Sequence, residues 1–241
     1  MIACIRGSNH TKKTLGILAG LGPLAGAHFY RRLIELTPAA GDHDHLSVVL
    51  SAENSIPSRL DHLRGLGPSP VPKLIEVAQR LVTAKAEVLA IVSTTTHAYF
   101  DQIAQSISIP VLNLLELAAE EIQTSPYRRV GIIATTTTCQ LGLYDEPLRQ
   151  RGVTPVYPDP ETQEGIMELI DAVKAQGARL EWAYRLEEAM LKPWARDADA
   201  MILACTETPL VFAGIPKPDI RVPVFNATDI LARAAISACW G

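Results

Sequence analysis

The sequence predicts an α/β protein of two similar doubly wound lobes related by a pseudo-two-fold axis, with the functional site in the cleft between them. Two observations carry this. Short apolar or β-branched runs alternate with longer helical patterns, and the order of motifs in the first half recurs in the second.

The runs at 15–19, 46–51, 88–93, 130–134 and 200–204 are continuously apolar and short, the pattern of strands buried on both faces. Helical stretches separate them. The segment 24–36 follows Pro23, which suits a first helical turn. Segments 72–84 and 163–175 space their apolar residues by three and four. In the latter, Ile166, Leu169, Ile170 and Val173 form one stripe. Strands alternating with helices call for parallel sheets covered on both faces.

The repeat has three parts. Lys13-Thr-Leu-Gly-Ile-Leu-Ala is similar to Arg129-Val-Gly-Ile-Ile-Ala, with Gly16 and Gly131 in register, 115 residues apart. A strand followed by Ser93-Thr-Thr-Thr matches a strand followed by Cys205-Thr-Glu-Thr, 112 apart. Ile109-Pro-Val-Leu-Asn113 matches Val222-Pro-Val-Phe-Asn226, 113 apart. Lobes of 13–112 plus 226–241 and of 113–225 are expected, the final segment crossing back onto the first lobe.

Composition narrows the function. The 241 residues are 48% hydrophobic with a formal charge of −4, enough for a well-filled core and without a basic footprint for nucleic acid. No apolar run approaches a membrane span, and the opening residues 1–13 are polar with no apolar h-region, so a cytoplasmic protein is expected. Cys4, Cys139, Cys205 and Cys239 show no paired spacing, which argues for free thiols rather than disulfides or zinc. Gly41-Asp-His-Asp-His45 has metal-type residues but reads as a solvated loop. No metal and no cofactor are expected.

Ligands in open α/β sheets bind beyond the carboxyl ends of strands. Ser93 and Cys205 both stand at such ends, one per lobe, so two side chains flank one cleft from opposite sides. Opposed acid/base groups are what inversion at a carbon requires. A strand end leading into a helix start is expected to lower the Cys205 thiol from about 8.5 toward neutral. Ser93 opens Ser-Thr-Thr-Thr-His97, where the hydroxyl either caps a helix or binds substrate, roles that are compatible. His97 is the nearest base in sequence to activate it. Thr135 to Thr138 and the turn Gly20-Leu-Gly22-Pro23 offer hydroxyls and backbone N–H groups to a carboxylate or phosphate. Pro23 removes a donor from that turn, and no ribose-binding acid follows at the distance a dinucleotide fold needs. Arg59 can clamp a carboxylate bidentately and Lys174 can do so as a point charge. For each, a solvated surface charge is the bland alternative.

These stretches resemble the cofactor-independent aspartate/glutamate racemase family over nearly the whole chain. They are Leu15-Gly-Ile-Leu-Ala-Gly-Leu-Gly-Pro23, Asn54-Ser-Ile-Pro-Ser-Arg59, Ser93-Thr-Thr-Thr-His97, Val130-Gly-Ile-Ile-Ala-Thr135 and Ile202-Leu-Ala-Cys-Thr-Glu-Thr-Pro209. The resemblance implies racemisation of aspartate or glutamate by two opposed cysteines. Cys205 matches the second cysteine, while Ser93 stands where the first belongs and Thr94 replaces the asparagine after it. Arg59 and Lys174 match residues that bind the side-chain carboxylate. Thr95, Thr135, Thr138 and Thr206 match those that hold the α-carboxylate and amino group, and Thr94 and Glu207 are placed with them as substrate-binding residues. The serine leaves three accounts: an engineered Cys-to-Ser racemase, a one-thiol lyase or isomerase acting on a small dicarboxylate, or a weak second acid/base group. A non-catalytic binder of acidic amino acids is a further alternative. The expected partner is the small-molecule substrate, with neither nucleic acid nor membrane, and the chain is expected to form a homo-oligomer, a dimer.

Overall fold

The computed structural model describes residues 12–216 and 218–240. The expectations for Cys4 and for most of the opening segment fall outside these. In chain order the elements begin with β1 (Leu15–Ala19), α1 (Pro23–Leu36), β2 (Val48–Ala52), α2 (Arg59–Leu63), α3 (Val71–Thr83), β3 (Val88–Ile91), α4 (Phe100–Gln105), β4 (Val111–Leu112) and α5 (Leu114–Gln123). They continue with β5 (Arg129–Ile133), α6 (Thr136–Gln140), α7 (Asp145–Arg149), β6 (Thr154–Val156), α8 (Pro160–Gln176), α9 (Leu180–Leu191), β7 (Ala200–Leu203), α10 (Thr208–Phe212), β8 (Val224–Asn226) and α11 (Ala227–Trp240).

Two parallel sheets of identical topology result, ordered β2-β1-β3-β4 and β6-β5-β7-β8. Within each, the strand that opens the repeat lies in the middle, pairing Gly16 with Leu89 in one sheet and Gly131 with Met201 in the other. The matched glycines have a packing reason. A Cβ on Gly16 would stand 2.8 Å from Ala86 Cβ, and one on Gly131 would stand 3.0 Å from the Trp194 ring. The predicted strands at 88–93 and 200–204 end earlier than expected, at Ile91 and Leu203. Ser93 and Cys205 therefore sit in equivalent loop positions, each two residues beyond its strand.

Strand residues alternate between two environments. Leu15, Ile17, Val88, Ala90, Val130, Ile132, Ala200 and Ile202 enter one core shared by both sheets. Leu18, Leu89 and Ile91 face a second cluster under α3, and Ile133, Met201 and Leu203 face a third under α8 and α9.

The repeated Pro-Val-Leu-Asn and Pro-Val-Phe-Asn motifs each build a short edge strand and a helix cap. Asn113 Oδ1 accepts from Leu115 N at 3.1 Å, and Asn226 Oδ1 from Thr228 N at 2.9 Å. Such caps contribute about 1 kcal/mol each. The capped helices then cross over. α5 leaves the first sheet and packs on α7 and α11, while α11 leaves the second and packs on α1 and β3. Arg32 of α1 grips Asp229 of α11 with two hydrogen bonds, of 2.7 and 3.0 Å. In the loop that carries the metal-type residues, the Asp44 carboxylate accepts from Ala40 N and Gly41 N, holding its own turn. Among the described residues no helix is long and apolar enough to cross a membrane.

Candidate active site

Both sheets end in loops that meet over one small cavity. It is lined by all ten residues singled out in the sequence, Arg59, Ser93, Thr94, Thr95, Thr135, Thr138, Lys174, Cys205, Thr206 and Glu207, together with Leu21 and Leu60. The two leucines carry no chemical signal in the sequence. They form the apolar wall from the loop after β1 and from α2. The cavity is small, about 30 Å³, enough to hold water.

Hydroxyl groups join the two sides. Thr94 Oγ1 donates to Ala204 O at 2.5 Å. Thr95 Oγ1 lies 3.3 Å from Thr135 Oγ1 and 3.1 Å from Thr138 Oγ1, which are themselves 2.9 Å apart. Thr135 is also the N-cap of α6, accepting from Thr138 N at 3.2 Å. The three hydroxyls thus form a closed, buried cluster of donors and acceptors, of the kind that can exchange partners with a carboxylate.

Cys205 is 5% exposed, and its backbone N–H donates to Ile133 O. Its thiol donates to Glu207 Oε2 at 3.1 Å, and the same oxygen accepts from Thr206 Oγ1 at 3.1 Å. The expected lowering of the thiol pKa is not found. Burial pushes it well above its ordinary value, the Glu207 charge adds to the push, and Lys174 opposes it. The backbone N–H of Glu207, the N-cap of α10, does reach the sulfur and favours the thiolate, but burial outweighs it. Elsewhere burial pushes the Cys139 thiol up to about 12 and Cys239 up to about 11.

Ser93 is 7% exposed and accepts from Thr96 Oγ1 at 2.8 Å. His97 does not serve as its base. Leu114 N donates to His97 Nε2 at 3.1 Å, which leaves Nδ1 as the protonated nitrogen, donating to the Ser93 carbonyl at 2.9 Å. Both ring nitrogens are occupied by backbone, and burial lowers the imidazole pKa. His97 ties the Ser93 turn to the start of α5.

Two cations complete the lining. Arg59 Nη2 donates to Leu21 O at 2.6 Å, while its buried Nε has no partner. Burial lowers its pKa and the Glu207 charge opposes this. Lys174, on the last turn of α8, lies 3.8 Å from Asp171 Oδ1, a loose contact between partly exposed groups. Both cations therefore retain free donors. Glu207 is 3% exposed and presses against the first loop, where a Cβ on Gly22 would stand 2.4 Å from Oε1.

A family model described as Asp/Glu/Hydantoin racemase matches residues 18–235. The chain belongs to this family. Among racemase relatives, the broad specificity amino-acid racemase RacX of Bacillus subtilis (strain 168) is 26% identical over 228 residues, 92% of this chain and 96% of its own. Of solved structures, Picrophilus torridus aspartate racemase aligns with a TM-score of 0.84 at 27% identity, covering 94% of each chain. An aspartate racemase homologue from Pyrococcus horikoshii aligns with a TM-score of 0.73 at 26% identity, covering 94% of this chain and 99% of its own. The two-lobed architecture of this racemase-family chain is thus shared over nearly its full length.

Proposed function

We propose that this chain interconverts the enantiomers of an acidic amino acid, aspartate or glutamate, by proton transfer at Cα without a cofactor. One observation carries the reading: Ser93 and Cys205 occupy equivalent positions beyond β3 and β7, and both line a cavity that also holds two cations with free donors. Arg59 and Lys174 bind the side-chain carboxylate, and Thr94, Thr95, Thr135, Thr138, Thr206 and Glu207 hold the α-carboxylate and amino group. Cys205 passes its proton to Glu207 and, as thiolate, takes the α-proton. Ser93 O–H donates a proton to the opposite face of the planar carbanion, remaking the Cα–H bond with inverted configuration, and the cycle closes when the serine oxygen takes a proton from water as Glu207 gives one up to water. The free thiols suit the reducing cytoplasm.

A second reading is favoured by the serine, whose hydroxyl has no base beside it. There Cys205 works alone, in a lyase or isomerase acting on a small dicarboxylate. Incubation with pure L- and D-aspartate and L- and D-glutamate in heavy water separates the two. Racemisation yields the other enantiomer carrying deuterium at Cα. A different product sinks the racemase reading in favour of the second, and the absence of both label and product sinks the racemase reading. Arg59→Ala or Lys174→Ala should weaken aspartate or glutamate binding by about 2–5 kcal/mol, the scale for losing one partner of a buried charge pair.

A further inference from the structure

Arg59 is carried by α2, a five-residue helix that buries none of its residues. Ser58 caps it, with Oγ accepting from Asp61 N at 3.2 Å. A helix this short, with no residue fully buried, has little burial to hold it, so a few anchors decide where its side chains stand. One is the Arg59 contact to Leu21 O and another is Leu63, partly buried against the cluster under α3. The third lies one turn on from Arg59. His62 Nδ1 meets Tyr99 Oη at 2.8 Å, with the rings 5.7 Å apart and tilted by 49°. Tyr99 is fixed in the core at 4% exposure. It also lies within electrostatic reach of the guanidinium, which works against the rise that burial imposes on the phenol.

Tyr99 closes the 3-10 turn Thr95–Tyr99, whose first residue is one of the three clustered threonines. The His62–Tyr99 bond therefore ties the helix bearing the cation to the turn bearing the threonine hydroxyls. We propose that His62 and Tyr99 are a positioning pair that fixes the span between the Arg59 guanidinium and the threonine cluster, and so sets the preference for a dicarboxylic over a monocarboxylic amino acid. This rests on the reading of Arg59 as the clamp for the distal carboxylate. Neither residue lines the cavity, so the pair acts only through Arg59 and the turn.

The test uses the full chain with Tyr99→Phe, His62→Phe, the double variant and His62→Asn, whose amide offers a polar atom near the place of Nδ1. Binding of L-aspartate and L-alanine is measured by calorimetry, and aspartate turnover by its KM and kcat. Tyr99→Phe should weaken aspartate binding and raise its KM about five- to tenfold, the size of one net hydrogen bond, while alanine binding stays within twofold. The double variant should be no worse than either single one, and His62→Asn should recover much of the loss. If Tyr99→Phe weakens aspartate and alanine alike, or neither, the pair does not position Arg59 and the proposal falls. Additive losses in the double variant would also overturn it. Should the unaltered protein bind alanine as well as aspartate, the reading of Arg59 as a clamp fails first, and the proposal with it.

Discussion

Gly22→Ala isolates what Glu207 does for Cys205. The substitution costs the backbone little. Gly22 has a φ of 169°, extended geometry open to any residue, and it caps α1 without a side-chain bond. The new methyl would stand 2.4 Å from Glu207 Oε1. Ordinary contact requires about 1 Å more, which the end of the buried Glu207 side chain can yield only by loosening its bonds to Cys205 and Thr206, so stability should fall by about 1–3 kcal/mol. The consequence falls on chemistry. The same carboxylate receives the Cys205 thiol through Oε2 at 3.1 Å. Moving it by about 1 Å breaks that bond, and misplacement on this scale costs on the order of a hundredfold in rate. Cα deuterium uptake from aspartate, followed by NMR, reads the rate, and thermal unfolding reads the fold. Uptake at the unaltered rate in a well-folded Gly22→Ala protein would refute the coupling of Glu207 to the thiol.

Three further outcomes follow from the same geometry. With a thiol on one face and an unassisted hydroxyl on the other, Cα exchange should be much faster from the enantiomer facing Cys205; Ser93→Cys should bring the other enantiomer up, Cys205→Ser should abolish exchange, and equal rates in the unaltered chain would contradict this. Glu207→Gln removes a charge that raises the Cys205 pKa, so iodoacetamide should label Cys205 at lower pH than in the parent even as exchange falls; an unmoved labelling profile would show that burial alone sets the pKa. His97 is held neutral with its pKa below the ordinary 6.5, so the unfolded chain binds a proton that the folded one refuses. Stability should be full above about pH 6.5 and fall below it, by up to about 1.4 kcal/mol per pH unit until the folded pKa is reached, and His97→Asn should flatten the slope seen in urea titrations at pH 7 and pH 5.5.

The central strands were legible because strands buried on both faces write themselves as unbroken apolar runs, as at Val88–Ile91 and Ala200–Leu203. Of the edge strands only β2 was legible, as the run at 46–51; the other three were not. β4, β6 and β8 have only two or three residues, and a proline precedes or interrupts each: Pro110, Pro155 and Pro223. The residues meeting at the cavity were readable because strand ends converge by topology. The chemistry of Cys205, and of His97 behind Ser93, was not. The rise in the Cys205 pKa depends on burial and on the turn that aims Glu207 at the thiol, and the occupied ring nitrogens of His97 depend on Leu114, which only folding brings close. Leu21 and Leu60 gave no sign because a lone leucine in a loop or a short helix looks like any other until the opposite lobe is in place.

The crossing of α5 and α11 has a consequence for how the chain melts. α11 rises from the second sheet, yet its apolar face is what covers α1 and β3 of the first, while α5 reaches the other way toward α7. Neither half can lose its structure without stripping the cover from the other, because Leu15, Ile17, Val130 and Ile132 share one core with Ile230, Leu231 and Ala235 of α11. Two lobes with matching topology would ordinarily be free to melt separately. Here they are interlocked into one cooperative unit, and heating should produce a single calorimetric transition whose van't Hoff and measured enthalpies agree.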